Sequence, residues 1–112
     1  MAITNQYKFY GKTVTAAETN TLLTAGAAET YIIKSLRVTN KSGSNAPTIT
    51  IKNNAFEVVN TQSLSTATSV EILTLPLILE GSTSLTATTA GTCTDGVVIG
   101  ISYLNIKKDV VT

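Results

Sequence analysis

The sequence predicts an all-β fold: a single small β-sandwich, jelly-roll or immunoglobulin-like, of about seven to nine mostly antiparallel strands. Three observations predict it. Turn signals recur at roughly 8–12-residue spacing between short apolar runs, and no stretch sustains a 3.6-residue period. Threonine is the commonest residue, at 21 of 112, with nine serines beside it. It favours strands, because a β-branched side chain loses χ1 freedom in a helix and fits a pleated surface. The third observation is the closing run Val97-Val98-Ile99-Gly100-Ile101-Ser102-Tyr103-Leu104-Asn105-Ile106. It opens on the turn signal Asp95-Gly96, and a strand this apolar is expected at the centre of the fold with earlier hairpins around it.

The earlier elements follow in order. Tyr7-Lys8-Phe9-Tyr10 is broken by Gly11 before Lys12-Thr13-Val14-Thr15 resumes an alternation, which predicts one or two short strands. Ala16 to Leu23 has a helical flavour, but the flanking threonines and Gly26 favour a short strand and loop. Tyr31 to Asn40 predicts a clear strand with Ile32, Leu36 and Val38 on one parity and Lys34 at the sheet edge or snorkelling. Lys41 to Pro47 is a loop by composition, and Thr48-Ile49-Thr50-Ile51-Lys52 alternates with both isoleucines inward. A turn at Asn53-Asn54 leads to a strand around Phe56–Val59, a loop from Asn60 to Ser65, and a strand at Val70–Leu73. Pro76, lacking a ladder donor, marks an edge, a bulge or a strand start within Leu75–Gly81. Thr83–Thr89 is a weakly amphipathic strand, and Ala90–Gly96 is the loop into the last one.

The chain reads as one domain, residues 1–112, with residues 1–10 either an extended N-terminal arm or the first strand. Only 13% of residues are charged and the net charge is +1, so the basic footprint of a nucleic-acid binder is missing. A sparsely charged surface does little to oppose association and suits one that lies against other protein. There is no histidine and a single cysteine. That leaves no imidazole for general-base work, no Cys/His pair and no usual zinc ligand set, so no catalytic, cofactor or metal residue is expected. The seven carboxylates are scattered from Glu18 to Asp109, and without tryptophan the usual stacking platform for sugar is absent. Cys93 is a free thiol or an intermolecular link, and a reducing compartment is expected. Met1–Gln6 lacks a basic start followed by an apolar run, and no segment reaches the length that spans a bilayer. Gly91 and Gly96 make no phosphate loop, and Asp95-Gly96 lacks the acidic spacing of a calcium loop.

Taken in order, Ile33-Lys34-Ser35-Leu36-Arg37-Val38-Thr39-Asn40-Lys41-Ser42-Gly43, Thr48-Ile49-Thr50-Ile51, Leu75-Pro76-Leu77-Ile78-Leu79-Glu80-Gly81 and the closing strand carry a likeness. From about residue 10 onward the chain resembles the small β-sandwich virion proteins of tailed bacteriophages, departing from them in having Asn105 where an acidic residue is commoner. The resemblance implies a non-enzymatic structural part of the particle: a capsid decoration (cement) protein, or a neck or tail accessory. It implies as partners the major capsid or other virion proteins and further copies of the chain, as a dimer or trimer, with no nucleic acid and no membrane. It places the protein on the outer surface of the virion after synthesis in the host cytoplasm. The contact residues expected on this reading are Tyr7, Phe9, Tyr10, Lys34 and Arg37. A host-surface binding module on a fibre is the alternative, and would cluster exposed aromatics on loops.

Overall fold

A computed structural model describes residues 3–108, so residues 1 and 2 of the expected N-terminal segment, and Asp109, lie outside it. Nine strands form among the described residues: β1 Ile3–Val14, β2 Thr19–Thr24, β3 Glu29–Asn40, β4 Thr48–Asn53, β5 Phe56–Ser63, β6 Thr68–Glu71, β7 Leu77–Leu79, β8 Ser84–Ala90 and β9 Val97–Lys108. They make two antiparallel sheets. The long sheet runs β1-β9-β3, with β6 and β7 in succession on the far side of β3; the short sheet runs β2-β8-β4-β5. β9 therefore sits centrally, between β1 and β3, as its apolar content predicts.

Between the sheets lies one core. β9 contributes Val97, Ile99, Ile101 and Tyr103, β3 contributes Ile33, Leu36 and Val38, and the short sheet adds Leu22, Ile49, Ile51, Leu85 and Ala87. Period-2 alternation does this sorting, since successive side chains of a strand point to opposite faces. Burying side chains of this size contributes roughly 1.5–3 kcal/mol each.

Four expectations need correction. In β3 a register shift between Ile33 and Ser35 inserts one residue, so Ile33 joins Leu36 and Val38 in the core and Ile32 turns outward. Gly11 does not break the first strand, which pairs with β9 without interruption from Ile3 to Val14. The loop expected from Asn60 is strand as far as Ser63, since β5 continues through two register shifts opposite β4. One of its bulge residues, Thr61, takes a left-handed backbone (φ 53°), and its N–H donates to Thr50 Oγ1 at 2.9 Å. The strand expected at Val70–Leu73 starts earlier and ends at Glu71.

Threonine has a visible use on the exposed faces. Hydroxyls of register partners meet across strands, Thr19 with Thr88 at 2.9 Å, Thr24 with Ser84 at 3.0 Å and Thr39 with Ser69 at 2.7 Å. Uncharged polar pairs thus hold neighbouring strands where other proteins place ion pairs. Gly81 is required by close approach: a Cβ there would stand 2.7 Å from the carbonyl oxygen of Ala27.

Candidate interaction surface

The outer face of the long sheet carries the least expected feature of the molecule. Pairing register places Tyr7 of β1 beside Leu104 of β9, Leu104 beside Ile32 of β3, and Ile32 beside Ile78 of β7. One apolar row thus crosses the whole sheet at right angles to its strands. Tyr7 is 78% exposed and Ile78 44%, while Leu104 and Ile32 are half-buried between them. Ile78 also lines a concavity of about 240 Å³ with Phe56, which is 78% exposed at the end of the β4–β5 turn.

Phe9 lies one step along the same face. Its ring rests against the opposed glycines Gly11 and Gly100, where an added Cβ would come within 3.1 and 3.3 Å of it. Beside Phe9, an open groove of about 300 Å³ is lined by Arg37, Val98 and Gly100. Aromatic side chains bury roughly 150–250 Å² each, so Tyr7 and Phe9 alone present about 200–400 Å². With the rest of the row this reaches the size of the largest apolar patches on ordinary monomers, which are often functional.

Of the five residues expected at contacts, Tyr7, Phe9 and Arg37 share this face. Lys34 is exposed at the β3 bulge, and Tyr10 is turned the other way, half-buried against the core. Arg37 stands in register with Glu71 of β6. Burial pushes the Glu71 carboxyl up, but hydrogen bonds from Ser35 Oγ and from the Leu36 N–H (2.7 Å), with Arg37 nearby, outweigh it and hold the carboxyl below the usual range. Leu104, Ile32, Ile78 and Phe56 escaped the sequence reading. The β9 alternation puts Leu104 opposite in phase to Ile101, a signal that was legible; the β3 bulge hid Ile32.

A second polar cluster closes one end of the sandwich. Glu29 accepts hydrogen bonds from the Gly26 N–H at 2.9 Å, from Asn105 Nδ2 at 3.1 Å and from Tyr31 Oη at 3.4 Å. The Gly26 bond chiefly lowers the Glu29 carboxyl against a smaller opposing effect of burial. Tyr31 and Tyr103 stack at 4.9 Å, tilted by 43°, and burial first, then Glu29, pushes both phenols up. Both carboxylates sit below their ordinary 4.5 in the folded chain, so their contribution is complete above that value and is lost as pH falls through the folded-state values. Acid unfolding followed by circular dichroism is therefore expected to begin below about pH 4.5, and Glu29→Gln with Glu71→Gln flattens that slope.

Cys93 is buried, with its Sγ 3.8 Å from the Gly91 carbonyl oxygen, and is not displayed for an intermolecular link. Among the described residues no three His, Cys, Asp or Glu side chains gather as a metal would need, and no helix is long and apolar enough to cross a membrane.

No protein-family profile matches the chain, and no curated protein matches it in sequence. Among solved structures, the chain is similar to one described as "Structure of infectious bursal disease virus Gx strain". The identity is 14% and the TM-score 0.42, over 99% of this chain and 37% of that one. The chain thus spans well under half the length of the chain it matches, and a likeness so distant says nothing of what this protein does.

Proposed function

We propose that the protein is a non-enzymatic structural component of a viral particle, a decoration (cement) protein that lies on the outer surface of an assembled phage head. The observation that carries this reading is the apolar row Tyr7–Leu104–Ile32–Ile78 on the outer face of the long sheet. Sparse charge and the sequence likeness to small phage virion proteins support it. A cement protein binds the assembled lattice and not its dissociated subunits, so it favours assembly by mass action. Repeated contacts on a symmetric shell multiply modest single-site energies. A neck or tail accessory would use the same face at lower copy number.

Binding of the purified protein to particles stripped of it tests the reading. Leu104→Asp places a carboxylate in the middle of the row while leaving the inward side of β9 intact. It is expected to weaken particle binding at least tenfold with the fold retained by circular dichroism; binding equal to wild type would overturn the assignment of this face.

A further inference from the structure

The two sheets have four edges, and three of them are blunted. β2 has six residues and a register shift between Thr21 and Leu23; β5 has two shifts; the β6/β7 edge is two short strands with Pro76 between them. These are the devices by which proteins prevent edge-to-edge pairing. The fourth edge, β1, is neither short, shifted nor interrupted by proline: it runs twelve residues in unbroken register with β9, guarded by the charges of Lys8 and Lys12. From Asn5 to Phe9 its side chains are exposed on both faces of the sheet. Such an edge presents an open row of backbone donors and acceptors, whose natural complement is another strand.

We propose that the β1 edge pairs with β1 of a second copy of this chain, antiparallel about a two-fold axis, joining two long sheets into one. The charges on β1 choose the register. Lys8 and Lys12 face inward, so the longer pairings centred on an inward-facing residue set lysine against lysine: Lys8 against itself when centred on Lys8, and Lys8 against Lys12 when centred on Tyr10. Like charges directly opposite are destabilising. A pairing centred on an outward-facing residue keeps them apart. Centring on Phe9 gives the longest such overlap, from Thr4 to Val14. It sets Phe9 against Phe9 of the second copy, Tyr7 against Gly11, Lys8 against Tyr10 and Lys12 against Gln6. Exposed Tyr7 and Phe9 then gain cross-strand aromatic and glycine-backed contacts, and at a net charge of +1 two copies meet with little repulsion. The apolar rows of the two copies lie four residues apart across the new seam, since Tyr7 meets Gly11, and the Phe9 pair between them links both on one face.

The pairing rests on edge geometry and not on the particle reading, so either can fail alone. Sedimentation equilibrium of the full chain tests it directly. Wild type is expected to approach twice its 11.7 kDa mass with rising concentration. Gln6 is exposed, so its substitution leaves the monomer fold intact, which thermal melting at low concentration checks. Gln6→Glu sets a carboxylate against Lys12 twice per dimer and is expected to tighten the dimer, and Gln6→Lys to loosen it, each by roughly two- to thirtyfold. Amides of β1 that point away from β9 should gain hydrogen-exchange protection as concentration rises. A monomer at every concentration, or a dimer that ignores both Gln6 substitutions, overturns the proposal.

Discussion

Replacing Ile101 with alanine is expected to lower the unfolding free energy by about 2–5 kcal/mol, the range for deleting a buried isoleucine to its β-carbon. Ile101 has no exposed surface and lies on the inner face of β9, flanked in register by Tyr10 of β1 and Leu36 of β3. A cavity there opens at the middle of the long sheet, where three strands and the facing sheet must all shift to fill it. Their backbones are held by ladders on both sides of β9, so collapse is only partial and the upper half of that range is expected. Urea denaturation reads the change as a lower midpoint at unchanged slope. A loss under 1 kcal/mol would mean that β9 is not the centre of the packed core.

Asn40→Ala is the second large effect, expected at about 3 kcal/mol or more, because each buried polar group left unpaired costs roughly 1–3 kcal/mol. Asn40 is 1% exposed at the end of β3. Its Nδ2 donates to the carbonyl oxygens of Asn45 at 2.8 Å and of Leu64 and Ser65 at 3.2 Å. Its Oδ1 accepts from the Ser42 N–H at 3.1 Å. One side chain therefore ties the 41–47 loop and the segment after β5 to the long sheet. Asn40→Asp is expected to do equal or greater damage, since a carboxylate cannot donate to those carbonyl oxygens and would be buried against them. Asn20→Ala is the control: its buried Nδ2 has no hydrogen-bond partner, so far less is lost. Equal losses at the two asparagines, measured by the same denaturation, would contradict this account of the 41–47 loop.

Much of the architecture was legible in local pattern. Ile49 and Ile51 point inward because β4 alternates strictly, and Gly91 (φ 93°) and Gly96 (φ 105°) sit in the turn that their position before β9 demands. What escaped was non-local. The inserted residue in β3 moved Ile32 from the expected core to the surface, and nothing in Tyr31–Asn40 announces a bulge, because the bulge is a relation between β3 and its neighbour β9. Gly11 looked like a break because glycine weakens a lone strand; its tolerance here comes from Gly100 opposite and the Phe9 ring laid over both. Asn40 ends its strand as the pattern predicts, but nothing local shows that its side chain also anchors a loop. The contact face was half legible for the same reason. Tyr7, Phe9 and Arg37 drew notice by residue type, whereas Leu104, Ile32 and Ile78 become one surface only when four strands are laid side by side.

The proposed role is tested most directly by the copy number of this protein in the purified parent particle that the proposal implies, by quantitative mass spectrometry against the major shell protein. Lattice decoration predicts a ratio near or above one in three, with capsids that disassemble more readily when the protein is removed. A handful to a few tens of copies would assign it to the neck or tail, and its absence from the particle would contradict a virion role altogether.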